Sequence, residues 1–289
     1  MAMQNLRRTI AKEVEYEGIG LHTGTLTKVK LIPVFEVDES YPSGIVFLCD
    51  GVAIPAHLTF VKSSQRCVVL SNGDVSVSTV EHLLAALYSF GISDVHILVR
   101  GQEIPIGNGD ATHWVKLLME AGTKELGQER KVITVREPIE VRDERSGAYA
   151  RVVGDKKLSV HYTFEHERPF IGVQSFFCDD LKAHFINDIA PARTFGFIEE
   201  VEELLERGLG KGGSLENCLI VFSDGYSAPL RFEDELVRHK VLDLIGDLAL
   251  LGADLNARVE VYKGGHELHL QLAHLIWERL MSGEGEIQS

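Results

Sequence analysis

The sequence predicts an α+β fold made of two equivalent β-α-α-β halves facing one another. Three observations predict it. Short apolar runs broken by turn residues give way to helical spacing, the same order returns in the second half, and one helical run from each half aligns with the other.

Residues 29–32, 44–48 and 67–70 are apolar runs between turn residues and read as strands. Residues 79–90 carry helical spacing, and Gly91 stops them. A strand follows at 95–99, then a helix at 111–121. Residues 122–131 hold two glycines and five charges and read as a linker. The second half offers strands at 132–135, 139–141, 158–164 and 173–177. A helix near 181–186, a long irregular region, a helix at 237–251, a strand at 257–262 and a helix near 267–280 complete it. Setting His82 against Asp243 without gaps pairs Leu83 with Leu244, Leu84 with Ile245, Leu87 with Leu248, Phe90 with Leu251 and Gly91 with Gly252. The expected domains are residues 1–124 and 130–289, with a site between them, where ligands commonly lie.

With 289 residues and 45% hydrophobic content, the chain can bury a proper core. Its 43 acids against 29 bases give a formal charge of −14. That excludes the broad positive footprint of nucleic-acid binding, so an anionic ligand needs a local cluster of bases. Cys49, Cys67, Cys178 and Cys218 form no Cys-x-x-Cys pair, and their spacing suggests neither a disulfide framework nor a thiolate zinc site. Free thiols fit a reducing compartment. Residues 1–12 lack the apolar stretch of a secretory signal, and no run approaches the roughly 18 apolar residues of a membrane span. The expectation is a cytoplasmic monomer with at most peripheral membrane contact.

The chemistry-bearing residues start with His239 and Asp243. On a helix, positions i and i+4 share a face, so both side chains reach one metal ion, or else form a surface ion pair. His82, on the other aligned helix, supplies a third donor. Two imidazoles and a carboxylate leave a coordination position open, as catalytic zinc requires. Glu81 beside His82 suits a base that takes a proton from water. It also fits a capping box with Ser78, which would explain an acid there without catalysis. Gly264-Gly265-His266 brings an imidazole close to a substrate or simply turns the chain into the last helix. Asp247 shares the face of Asp243 and suits a partner that orients an imidazole, or an exposed acid. Residues 207–214 fail the phosphate-loop pattern, since Gly213 rather than Lys precedes Ser214, and read as a mobile glycine-rich loop. The remaining histidines, His269 among them, have no ligand-like neighbours in sequence.

Gly20-Leu21-His22-Thr23-Gly24, Thr79-Val80-Glu81-His82, Glu103-Ile104-Pro105-Ile106, Ala192-Arg193-Thr194-Phe195, Arg238-His239-Lys240-x-x-Asp243-x-x-Gly246-Asp247 and Gly265-His266 stand in that order. Together they resemble the UDP-3-O-acyl-N-acetylglucosamine deacetylase (LpxC) family, over nearly the whole chain from about Thr9 to Ile276. The resemblance implies a two-layer α+β sandwich of two pseudo-symmetric domains with the active site between them. It implies zinc, with ferrous iron as the alternative metal, and removal of the N-acetyl group from a UDP-linked, 3-O-acylated glucosamine, the committed step of lipid A biosynthesis. By its motifs His82, His239 and Asp243 hold the metal, Glu81 is the general base and His266 the general acid oriented by Asp247. Thr194 stabilises the oxyanion, Lys240 and Lys263 face the diphosphate end, and His22 and Phe195 line the substrate site. An insert near 195–220 forms an acyl tunnel with Phe197, Ile198, Val201, Leu215 and Ile220 as its candidate lining.

Two other classes compete. Two histidines and a carboxylate also form the facial triad of iron oxygenases, which have no use for Glu81. An RNA-binding α+β module is disfavoured by the net charge.

Overall fold

The computed structural model describes residues 5–35, 43–282 and 286–288. Residues 1–4 of the segment screened for a secretory signal, and the outer ends of both expected domains, lie outside them. The fold is mixed α+β. Among the described residues the helices are α1 (Glu81–Ser89), α2 (Thr112–Ala121), α3 (Leu181–His184), α4 (Ile198–Glu206), α5 (Glu235–Ala249) and α6 (His266–Met281).

One sheet has the strand order Val14–Ile19, Leu26–Ile32, Val95–Arg100, Ile45–Cys49, Val52–Pro55, and only the pairing of Val95–Arg100 with Ile45–Cys49 is parallel. A second sheet contains the run Ile139–Arg142, Tyr149–Gly154, Asp254–Tyr262, Ser159–Glu165, Val173–Cys178. Within that run only Asp254–Tyr262 with Ser159–Glu165 is parallel. Parallel neighbours need a long crossover. Each crossover carries a buried helix, α1 before Val95–Arg100 and α5 before Asp254–Tyr262. Alternation along the strands sets what they bury: Gln174, Phe176 and Cys178 face inward while Val173, Ser175 and Phe177 face out.

A large apolar core runs through both sheets and joins α1 to α5, and a smaller cluster of Ile171, Leu219, Val221 and Leu236 lies at the start of α5. Both helices are buried on nearly all faces, so their polar residues are inside the protein, where an unpartnered group is costly; His82 Nδ1 and Ser89 Oγ of α1 have no hydrogen-bond partner among the described residues. Gly246 makes the crossing of the two helices close. A Cβ there would stand 2.2 Å from the carbonyl oxygen of Glu81, so only glycine lets α5 press against the start of α1.

The expected linker at 122–131 is instead largely a strand, Thr123–Glu129, paired antiparallel with Leu6–Ile10. Its side chains are almost all exposed, so no apolar alternation marked it, and backbone pairing alone defines it. Tyr149–Gly154 was not anticipated either, although Ala150 and Val152 alternate into the core. The helix expected near 181–186 divides into α3 and a π-helical turn, Phe185–Ile189.

Candidate active site

Two buried carboxylates build the walls of the site. Glu103, fully buried, accepts hydrogen bonds from the His22 amide (2.9 Å), the Thr23 amide and hydroxyl (both 2.7 Å) and the Thr79 hydroxyl (2.8 Å). It ties the His22 turn to the residue that leads into α1. On the other side Glu235 accepts from the Arg193 amide (3.1 Å), Arg193 Nε (2.7 Å) and the Arg231 amide (2.7 Å). That fixes residues 192–195 across the start of α5. Glu235→Ala leaves the Arg193 guanidinium buried and unpaired. Breaking a buried pair from one side costs about 3–5 kcal/mol, which a denaturant-unfolding midpoint would register.

Backbone strain gathers at the same place. Among the described residues Asp50, Arg66, Thr79 and Lys263 are the non-glycine residues with positive φ, and all but Asp50 line the central cavity. A β-branched residue such as Thr79 at φ +58 is costly and persists only where surrounding contacts impose it.

His82 from α1 and His239 and Asp243 from α5 converge, with one ligand atom from each lying within 4.8 Å of the others. Asp243 Oδ1 stands 3.4 Å from His239 Nε2 and 3.8 Å from His82 Nε2. Two donors each about 2.1 Å from one tetrahedral ion stand about 3.4 Å apart, so the three fit a shared cation. His239 Nδ1 donates to the Ala192 carbonyl oxygen at 3.0 Å, which leaves the Nε2 lone pair for the ion. Burial pushes His82 down to about 3, with His239 adding to the effect, and burial also lowers His239. Both rings are therefore neutral, the ligand form. Burial would raise the Asp243 carboxyl, but Lys240 and the histidines outweigh it and hold the group ionised. The expected alternative of a surface ion pair is overturned, because both members are buried.

Glu81 opens α1, yet it does not cap it. Val80 occupies the N-cap, Ser78 lies in a strand with its hydroxyl on the Gln102 carbonyl, and Glu81 Oε2 accepts from the Val68 amide at 3.1 Å. The left-handed turn at Thr79 separates Ser78 from the helix, so the capping box cannot form. Burial pushes the Glu81 carboxyl up to about 7; His266 opposes this and Asp243 adds to it. Across the cleft, His266 Nε2 lies 3.7 Å from Glu81 Oε1. His266 Nδ1 donates to Asp247 at 2.9 Å. Burial disfavours the His266 cation, but Asp247, Asp243 and Glu81 outweigh it and raise the group to about 10. Asp247 is fully buried, so the reading of it as an exposed acid is also overturned. A carboxyl and an imidazole with separated pKa values thus face each other beside the donor set, an arrangement suited to acid–base chemistry.

These groups line a cavity of about 920 Å³ together with Leu21, His22, Arg66, Thr194, Phe195, Lys240 and Lys263. Lys240 Nζ reaches Asp243 Oδ2 at 3.0 Å and lies over the Phe195 ring. Lys263 Nζ lies 3.6 Å from Glu165 Oε1. Phe197, Ile198, Val201 and Leu215 do not line this cavity. Phe197 stacks on His166 with centroids 4.3 Å apart, Ile198 and Val201 belong to α4, and Leu215 is exposed. The glycine-rich segment, expected to be mobile, is docked. Lys211 and Gly212 amides donate to the His22 and Leu21 carbonyls at 3.2 and 3.0 Å. A Cβ on Gly212 would stand 2.1 Å from the Gly20 carbonyl oxygen, so the two turns close only on glycine.

Sequence reasoning gave no role to Glu103 or Glu235, although both stand in or beside motifs it singled out. It also passed over His269, which is fully buried against Asp247. Their partners are distant in sequence, and no local spacing signals them.

A family model described as UDP-3-O-acyl N-acetylglycosamine deacetylase matches residues 7–278. Proteins named UDP-3-O-acyl-N-acetylglucosamine deacetylase are similar along almost their whole length. That of Nautilia profundicola is 39% identical over 281 residues, 96% of this chain and 92% of the relative. That of Campylobacter fetus subsp. fetus is 41% identical over 268 residues, 91% and 89%. That of Citrifermentans bemidjiense is 37% identical over 279 residues, 94% and 89%.

Proposed function

This chain belongs to the UDP-3-O-acyl-N-acetylglucosamine deacetylase family and is a deacetylase; from that premise we propose that it is a zinc-dependent amidohydrolase. Its substrate is the UDP-linked, 3-O-acylated N-acetylglucosamine of lipid A biosynthesis, from which it removes the acetyl group. The observation that carries this reading is the facing of Glu81 and His266 across 3.7 Å beside His82, His239 and Asp243.

His82, His239 and Asp243 would hold a divalent cation, which when bound would supply Lewis acidity beside the attacked carbonyl. Glu81 takes the proton of the attacking water. The Thr194 hydroxyl donates to the oxygen on which negative charge develops. His266 gives a proton from Nε2 to the departing amine nitrogen, and Asp247 keeps the proton on Nδ1 and the ring in plane. Lys240 and Lys263 supply local positive charge for the diphosphate, His22 and Phe195 line the substrate site, and Phe197, Ile198, Val201 and Leu215, outside the central cavity, meet the part of the acyl chain that extends beyond it. Asp247→Ala is expected to slow turnover by about 10–100-fold with metal content unchanged, the usual cost of an outer partner; unchanged turnover removes Asp247 as the orienting group.

The matching strand orders support two pseudo-symmetric domains, residues 1–124 and 130–289, with the site between them. No described helix is long and apolar enough to cross a membrane; a cytoplasmic monomer with at most peripheral membrane contact is our reading. The decisive experiment measures acetate release from the UDP-sugar carrying acyl chains of graded length, with elemental analysis of the same preparation. Folded, metal-loaded protein that releases no acetate refutes the proposal, and strict oxygen dependence transfers it to the iron oxygenase class.

A further inference from the structure

Asp247 has a second imidazole partner that the mechanism above does not use. His269 Nδ1 lies 2.7 Å from Asp247 Oδ2, and His269 Nε2 lies 2.9 Å from the Tyr162 hydroxyl. Asp247, His269 and Tyr162 are all fully buried. Gly264 makes room for this chain of contacts. A Cβ there would stand 2.4 Å from Val261 Cγ1 and 3.1 Å from the Tyr162 hydroxyl, so glycine keeps the space beside these contacts open.

Hydrogen positions follow from the partners. An ionised carboxylate only accepts, so Nδ1 of both His266 and His269 carries a proton. Burial keeps the His269 ring neutral, which makes its Nε2 an acceptor. The Tyr162 hydroxyl, raised well above its ordinary value by burial, stays protonated and donates to it. The hydrogen bonds therefore run one way, from Tyr162 to His269 to Asp247, and meet the bond from His266 at the same carboxylate. Asp247, His266 and His269 are also close enough to suggest a second cation site. Both Nδ1 atoms are occupied by protons aimed at Asp247, so no lone pairs remain there for an ion.

We infer that His269 is a positioning residue for the deacetylation, acting through Asp247 to fix the ring plane of His266, with Tyr162 setting the tautomer of His269. This rests on the proposed role of His266 as the acid. His266 Nδ1 sits 2.9 and 3.0 Å from the two oxygens of Asp247, so rotation of that carboxylate turns the imidazole. His269 anchors Oδ2 and removes that freedom. Without it, Nε2 no longer points steadily at the cleft beside Glu81.

The test compares His269→Leu, His269→Asn and Tyr162→Phe. Asn places an amide N–H close to where Nδ1 stands, so it keeps the bond to Asp247 and loses only the contact with Tyr162. His269→Leu should lower kcat by about 10-fold or more with KM and metal content unchanged, and His269→Asn should recover most of the loss. Tyr162→Phe should fall between wild type and His269→Leu. A second measurement needs no substrate: in the 15N-edited proton spectrum, the downfield His266 Nδ1–H signal should shift in His269→Leu and hold its place in His269→Asn. Wild-type kcat in His269→Leu, or an Asn variant as slow as the Leu variant, overturns the inference. If His269→Leu does not fold, an unchanged kcat in Tyr162→Phe, with an unmoved imidazole signal, overturns it equally. Should the wild-type protein release no acetate at all, the functional reading fails, and the imidazole signals still decide the hydrogen-bond chain.

Discussion

Glu81→Ala is expected to lower kcat by roughly 10²–10⁴-fold, the range of a positioned general base, while metal content stays at the wild-type level. Glu81 donates nothing to the cation site; its Oε2 is engaged by the Val68 amide and its Oε1 faces His266. Burial raises the Glu81 carboxyl to about 7, and a base acts only when ionised. Activity therefore falls as pH drops through the Glu81 pKa, and a bound cation beside the carboxylate would draw that limb lower by favouring the charged form. The opposite limb belongs to His266, which holds its proton up to about 10 and must carry it to act as an acid. Glu81→Gln should flatten the acid limb and leave the alkaline one. Normal turnover in Glu81→Ala would remove Glu81 as the base.

His239→Ala should weaken metal binding by more than about 100-fold, the upper end of what loss of an outer partner costs. It removes one donor of three and empties the space that Phe195 faces. Activity should fall with occupancy and return in part when excess metal is supplied. Elemental analysis of dialysed protein gives the answer, and full occupancy in the variant would end the ligand role of His239. The folded state should survive the change, because α5 is held by the main core through Val241, Leu244 and Leu248 and by the smaller cluster through Leu236.

The parts of the site that were legible in sequence are those fixed by local geometry. His239 and Asp243 share a face because a helix repeats every 3.6 residues, and Glu81 adjoins His82 by sequence alone. The left-handed turn at Thr79 cuts Ser78 off from α1, which excludes Glu81 as a capping residue and could not be read from sequence. Residues 123–129 carry no strand signal in sequence, because a strand with exposed side chains has no apolar pattern. The glycine-rich segment looked mobile because its reason for glycine, the carbonyl of Gly20 pressing on Gly212, lies nearly two hundred residues away.

Sequence by itself determined the mixed α+β class, the helices that carry the donors, the family and the identities of the proposed base and acid, since these rest on periodicity and on motifs read in order. Tertiary structure alone decided that α1 and α5 cross closely at Gly246, that Glu103 and Glu235 anchor the two walls, and that His269 and Tyr162 stand behind Asp247. Each of those contacts joins residues far apart along the chain. Pairing between distant side chains is set by how whole sheets and helices pack around one core, and no short window of residues encodes it.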